Sequence, residues 1–240
     1  MVEYITMKKA SIKDVLPEYP ATRHLPWKPN NKSDRVASFE EAAVIFVGDR
    51  TCVQEKIDGA NCGMAYIDGH PVVRNRTKVL RKGQELKNPS KAQFASAWNW
   101  MHQNKAKFDI LAEQGPYSVY GEWMIQQHGM VYDTLPDWFI AFDVYDWEKC
   151  HYIDPEKADK VLLNSGFSQV SNLFFGKLDS YETLEQLSNE KSGFTASGQR
   201  EGIVVKVGNG DSITTKFKMV RQGFDQGCLL GDEIKRNKRG

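Results

Sequence analysis

The sequence predicts an α+β fold in which antiparallel sheets are flanked by helices, and three observations predict it. Two stretches read as β-hairpins: residues 62–67 and 71–75 around Asp68-Gly69-His70, and residues 203–207 and 212–220 around Gly208-Asn209-Gly210-Asp211. Helix signals are interleaved with the strands irregularly, not after each strand as a parallel βαβ succession requires. No repeat, low-complexity tract or strong linker divides the 240 residues, which predicts one domain over 1–240.

Taken in order, residues 1–38 are rich in Pro, Asn and charge and include Tyr19-Pro20 and His24-Leu25-Pro26-Trp27. They read as an N-terminal arm that lays its aromatics on the body. Residues 44–47 and 51–54 read as strands. A helix should begin near Asn88-Pro89-Ser90, because proline suits the first helical position. Phe94, Trp98 and Met101 then share one face, as core packing. Residues 118–124 and 138–147 are β-prone. A helix from Asp154-Pro155 turns Ala158, Val161 and Leu162 inward and stops at Gly166. A shorter one surrounds Leu184 and Leu187.

The composition excludes several classes. The formal net charge is +1, which favours no partner by itself, so local charge must decide. No apolar run resembles a signal peptide or a membrane span. Four cysteines without Cys-x-x-Cys spacing suit reduced thiols in a cytoplasmic setting, and five dispersed histidines form no metal cluster. A monomer without membrane attachment is expected.

The chemistry is concentrated in a few places. Glu55-Lys56-Ile57-Asp58-Gly59-Ala60-Asn61 sets a lysine between a β-rich run and a glycine turn, where an amine can meet a phosphate. Such an amine becomes a nucleophile once its pKa falls. Arg74-Asn75-Arg76 opens a basic run through Lys78, Arg81, Lys82, Lys87 and Lys91, a footprint for a phosphate backbone. Glu122 is an acid within an apolar strand, able to accept from a ribose hydroxyl or sit near a metal. Phe142-Asp143 closes a second β-run, its aromatic either core or a base platform. If Asn209-Gly210 makes a two-residue turn, Gly208 pairs with Asp211, Glu201 faces Lys218 and Ile203 faces Lys216. One carboxylate and two amines would then share a face with Ile203, Val205 and Val207.

Taken together, these motifs resemble the covalent nucleotidyltransferases: ATP-dependent RNA ligases, DNA ligases and mRNA-capping guanylyltransferases. The resemblance implies the nucleotidyltransferase (ATP-grasp-like ligase) fold and runs from Glu55 to Lys218. It makes Lys56 the nucleophile that carries the nucleoside monophosphate, in a pocket that includes Glu55. Arg74 or Arg76 matches the arginine near the nucleotide and end phosphates, and Glu122 the ribose-binding acid. Phe142 matches the aromatic that stacks on the purine. Glu201, in Glu201-Gly202-Ile203-Val204-Val205-Lys206, matches the glutamate that assists the metal, with Glu122 beside it as a second ligand. Lys216 and Lys218 match the phosphate-holding lysines, expected to stabilise phosphoryl transition states and to depress the pKa of Lys56.

Asn61 stands where the RNA ligases that seal nicked duplex RNA place asparagine and where DNA ligases place arginine. Asp58 departs from the histidine frequent in that RNA group. The resemblance therefore implies an RNA ligase using ATP and Mg2+, with Mn2+ able to substitute, acting on nicked duplex RNA or strand ends. No oligonucleotide-binding barrel or helical C-terminal domain is expected after Lys218, which implies either the catalytic core of a longer protein or a minimal ligase. The basic residues Lys235, Arg236, Lys238 and Arg239 read as a truncated junction or a nucleic-acid-binding tail. The rivals are a DNA ligase or capping-type transferase on the same core, and a non-catalytic nucleic-acid-binding module.

Overall fold

The computed structural model describes residues 11–27, 35–83, 92–196, 198–224 and 235–240. The first described elements are α1 (Ile12–Val15), β1 (Arg23–His24), α2 (Phe39–Ala43), a 3-10 turn over Val44–Phe46, and β2 (Thr51–Lys56). Then come β3 (Ala60–Ile67), β4 (His70–Asn75), α3 (Ala97–Gln103), α4 (Lys105–Gln114), β5 (Tyr117–Trp123), β6 (Phe139–Asp146) and β7 (His151–Tyr152). The last are α5 (Pro155–Asn164), β8 (Asn172–Gly176), α6 (Tyr181–Asn189), β9 (Gly202–Gly208) and β10 (Ile213–Val220).

The strands form two five-stranded sheets, ordered β1-β10-β9-β2-β8 and β4-β3-β5-β6-β7. All pairings are antiparallel except β1 with β10. This is the α+β architecture that the interleaved hairpins predict. The chain crosses between the sheets through Ile57-Asp58-Gly59, from the end of β2 to the start of β3. Among the described residues no helix is long and apolar enough to cross a membrane.

Alternation along the strands decides what each sheet face does. In the first sheet Ile203, Val205, Val207, Phe217 and Met219 pack with Ala42, Ile45 and Leu184 of the helical side. Their strand neighbours Val204, Lys206 and Lys218 turn to the opposite face, onto a cavity. In the second sheet Met64, Val119, Trp123 and Phe139 pack under α3, α4 and α5 with Trp98, Trp100, Phe108 and Leu162. The predicted stripe is there: Phe94, Trp98 and Met101 are all buried, whereas the predicted helix start at residues 88–90 lies outside the described residues. Two aromatics of the described N-terminal residues pack against later elements. Tyr19 packs with Tyr120, Phe142 and Tyr152, and Trp27 with Phe39, Phe46 and Tyr181.

Two expectations are corrected. Residues 44–47 are not a strand. Ser38 and Glu41 form a capping box, with Ser38 Oγ accepting from the Glu41 N–H at 3.2 Å and the Glu41 carboxylate accepting from the Ser38 N–H at 2.9 Å. That box starts α2, and burial of Ala42 and Ile45 carries the turn through Phe46 despite its β-branched residues.

The second correction is the register of the last hairpin. Gly208 pairs with Ile213, so residues 209–212 make a four-residue loop in place of a two-residue turn. Asn209 Oδ1 accepts from the N–H groups of Asp211 (2.9 Å) and Ser212 (2.8 Å), and Asp154 Oδ2 accepts from Gly210 N–H at 2.8 Å. A bulge follows between Ile213 and Thr215. Lys218 therefore faces Val204, not Glu201, and Lys216 faces Lys206, not Ile203. The displacement is odd, so it exchanges sheet faces. The lysines of β10 leave the apolar face of Ile203 and join that of Lys206. The other hairpin keeps its predicted turn, because Asp68 (φ 50°) and Gly69 (φ 75°) both adopt the left-handed conformation a tight hairpin requires.

Candidate active site

A cavity of about 610 Å³ opens between the two sheets. The first sheet contributes Gln54, Glu55, Lys56, Val204, Lys206 and Lys218 to its wall; the second contributes Asn61, Glu122 and Phe142. Arg76 and Thr77 lie beyond β4, and the arm adds Tyr19, Pro20 and Thr22. Lys56 is the last residue of β2, so its side chain points from the rim of one sheet at the crossing to the other. Gly59 makes that crossing possible: a Cβ there would lie 2.5 Å from the Met124 sulfur and 3.1 Å from Glu122 Cβ.

Lys56 Nζ donates to Glu201 Oε2 at 2.7 Å. Glu201 thus reaches the site from just before β9, by a route other than the cross-strand pairing with Lys218. Burial alone would lower the Lys56 pKa, but the Glu201 carboxylate outweighs it and holds the amine above its usual value. The predicted depression of Lys56 by Lys216 and Lys218 is not what this arrangement produces. Burial raises the Glu201 pKa, with Lys56 opposing.

Glu122 faces Asn61 across β5 and β3. Burial, opposed by Lys56 and reinforced by Glu201 and Asp58, pushes its carboxyl up to about 8. Glu122 Oε2 and Asn61 Oδ1 are buried with no hydrogen-bond partner among the described residues. Two orphaned acceptors on a cavity wall need donors or a cation from a ligand. Because folded Glu122 holds a proton that unfolded Glu122 releases above about 4.5, raising pH from 4.5 to about 8 should destabilise the protein. Glu122→Gln removes the titration and should flatten that loss, by up to roughly 4 kcal/mol. Denaturant midpoints measured across the window check it.

A second constellation lies deeper. Asp143 is fully buried; Lys206 Nζ donates to Asp143 Oδ1 at 2.6 Å, Lys216 Nζ lies 3.5 Å from Oδ2, and the Tyr19 hydroxyl donates to Oδ2 at 2.6 Å. Burial would raise the Asp143 pKa, but Lys206 and Lys216 together hold it below the usual range. Lys206 also donates to the Phe142 carbonyl at 2.7 Å. Lys216 Nζ sits 3.6 Å over the Tyr19 ring and 4.7 Å over that of Tyr152. Burial brings its pKa down to about 8, against the pull of Asp143.

The predicted residues therefore divide. Lys56, Glu55, Asn61, Arg76, Glu122, Phe142 and Lys218 line the cavity. Glu201 meets it through Lys56, and Lys216 stands behind Tyr19. The Glu55 carboxylate is held by the Ser192 hydroxyl and the Gly193 N–H. Arg74 is not on the cavity: its stem packs where Gly63 lacks a side chain, and its guanidinium donates to the carbonyls of Leu16, Asn75 and Arg76. Of the two arginines offered, the structure brings only Arg76 to the cavity. Lys78, Arg81 and Lys82 are outside its wall, and Lys87 and Lys91 lie outside the described residues.

Sequence reasoning missed Lys206, Asp143 and Tyr19 as site residues. A lysine at an alternate position between valines and an acid closing an apolar run were available signals for the first two. Tyr19 had none, since its role depends on where the arm docks. Among the described residues no three His, Cys, Asp or Glu side chains converge on a common ion position. Magnesium, however, commonly takes only one or two carboxylates and completes its shell with phosphates and water, which Glu122 and Glu201 fit.

Several solved structures of Naegleria gruberi RNA ligase share this architecture. A mutant of that protein with ATP and Mn superposes with a TM-score of 0.61 at 18% identity, covering 90% of this chain and 63% of that one. The form with PPi gives 0.60 at 20% identity, covering 90% and 62%. A mutant with AMP and Mn gives 0.57 at 18%, covering 76% and 53%. This chain thus spans less than two thirds of that ligase, and at such identity the likeness establishes the fold. No curated protein sequence matches. Residues 49–220, from two residues before β2 through the end of β10 and including the motifs from Glu55 to Lys218, match the sequence model of the RNA ligase family. The chain belongs to the RNA ligase family.

Proposed function

We propose that this protein is an ATP-dependent RNA ligase that forms a lysyl-AMP intermediate on Lys56. The single observation that carries this reading is the placement of Lys56 at the rim of a nucleotide-sized cavity whose walls hold Arg76 and Lys218 as well as the orphaned acceptors of Glu122 and Asn61. Cations suit phosphates, and orphaned acceptors suit ribose hydroxyls. Phe142 supplies a face for the purine.

Lys56 reaches its reactive neutral form when its contact with Glu201 is broken, since burial alone favours the uncharged amine. The Nζ lone pair then forms a P–N bond to the α-phosphorus of ATP while the bond to the bridging oxygen breaks and pyrophosphate leaves with that electron pair. Lys218 and Arg76 offset the negative charge on the phosphoryl oxygens. Glu201 and Glu122 would hold Mg2+, or Mn2+, which when bound supplies further positive charge at the transferring group. AMP next passes to an RNA 5′-phosphate, and a 3′-hydroxyl displaces it, forming the phosphodiester of a nicked duplex or of paired strand ends.

The protein acts as a monomer, with residues 1–240 forming one adenylyltransferase domain. Buried Cys52 and Cys62 thiols suit the reducing cytoplasm. Incubation with α-labelled ATP or GTP and magnesium, followed by denaturing electrophoresis, tests the reading. An acid-labile AMP adduct is expected; a GMP adduct would assign a capping-type activity, and no adduct would leave a binding module. Glu201→Ala should lower labelling about a hundredfold, the usual scale for losing one electrostatic stabiliser. The size of that defect should change between magnesium and manganese, which a metal titration of both proteins checks.

A further inference from the structure

Residues 235–240 carry four cations in five positions, Lys235, Arg236, Lys238 and Arg239, and the site described above uses none of them. They are not a loose tail. Asn237, 3% exposed, is sunk into the loop after β5: its Nδ2 donates to the carbonyls of Met124 (2.7 Å) and Gln126 (3.2 Å), and its Oδ1 accepts from Tyr132 N–H at 3.0 Å. Backbone bonds continue the seam, from Gln127 N–H to the Lys235 carbonyl (3.0 Å) and from Lys238 N–H to the Tyr132 carbonyl (2.9 Å). With Asn237 turned in, all four basic residues are exposed. None of them is in an ion pair among the described residues; Arg239 lies 5.9 Å over the Trp138 ring.

The loop that holds this strand also holds the nucleophile's segment. The Tyr132 hydroxyl accepts from Asp58 N–H at 2.7 Å, and the Asp58 carboxylate accepts from Gly129 N–H. His128 contacts Gln93, a residue of the cavity wall, at 3.1 Å. Four exposed cations, in no ion pair among the described residues, thus sit on a segment tied through Tyr132 to Asp58, two residues from Lys56.

We infer that Lys235, Arg236, Lys238 and Arg239 form the docking rail for the phosphodiester backbone of the polynucleotide being joined, leading the strand to Lys56. This rests on the ligase reading. It moves the main backbone contacts from the run that begins at Arg74, where Arg74 itself is consumed by internal carbonyls, to a strand pinned at the active site.

The test compares the unaltered protein with a quadruple variant, Lys235→Gln, Arg236→Gln, Lys238→Gln and Arg239→Gln. A control removes four exposed lysines elsewhere: Lys149→Gln, Lys157→Gln, Lys160→Gln and Lys177→Gln. Fluorescence anisotropy follows binding to nicked RNA and nicked DNA duplexes of one sequence, over about 50 to 200 mM salt. Each phosphate contact contributes roughly 0.7–0.9 to the log–log salt slope, so the rail variant should lose about two or more from it and bind at least about tenfold more weakly on either duplex. Whichever duplex the unaltered protein holds tighter identifies the preferred polynucleotide. A lysine–arginine exchange at the four positions should restore binding. Unchanged affinity and slope in the rail variant, an equal loss in the control, failure of the exchange to restore binding, or no binding by the unaltered protein would each overturn the rail. Labelling with ATP is read in parallel and should be unchanged in the rail variant. If the unaltered protein takes no label while the rail variant still loses RNA, the ligase reading fails and the docking surface stands.

Discussion

Lys56→Ala should reduce covalent AMP labelling to the floor of the assay while the protein remains folded. The substitution removes the proposed nucleophile and leaves behind a buried Glu201, whose pKa burial already raises and which can take up a proton in place of keeping an unpaired charge. Lys56→Arg should fail as completely. A guanidinium still answers Glu201, so the fold keeps its ion pair, but it does not give up its proton and cannot attack phosphorus. The two variants together separate chemistry from packing: both should melt near the unaltered protein and neither should label. Residual acid-labile label in either, mapped by peptide analysis, would put the nucleophile on another residue.

Asp143→Ala should be the most damaging single change to stability. It strips the counter-charge from Lys206, 2% exposed, and Lys216, 10% exposed, and the hydrogen-bond acceptor from Tyr19. Breaking a buried pair from one side costs about 3–5 kcal/mol, because the remaining charge is stranded. For a chain of this size that is roughly a 10 °C fall in melting temperature. Nucleotide labelling should fall with it, since Phe142 and the arm both lean on this centre. Adding Lys216→Met to Asp143→Ala should recover part of the loss by removing one stranded cation. Thermal melts of the single and double variants check this, and a double variant weaker than the single would show that the charge was never the problem.

How far the sequence could be read depended on the kind of contact involved. Local chemistry was legible: the Asp68-Gly69 turn and the helix start at Asp154-Pro155. Lys56, Glu122, Phe142 and Lys218 meet at one cavity as their motifs implied. The last hairpin's register was not legible, because Asn209 can close either a two-residue or a four-residue loop, and the choice fell to Asp154, a residue far along the chain that binds Gly210 N–H. Arg74 and Arg76 could not be told apart, since only the docking of Leu16 shows which guanidinium is occupied. The helix at residues 39–43 was announced by Ser38 and Glu41, a signal that the β-prone residues after it obscured.

The arm has one more consequence, for the order in which the molecule can come together. Tyr19, Pro20 and Thr22 form part of the cavity wall, and β1 joins the first sheet by pairing with β10. Residues near the start of the sequence must therefore wait for residues near 220 before the binding site has all its walls. Contacts of such sequence separation slow folding, and until they form β10 presents an open strand edge to other chains. During synthesis the proposed nucleotide cavity therefore stays incomplete until β10 has left the ribosome. A ribosome stalled before β10 would hold a chain that has Lys56 but only part of the cavity wall around it.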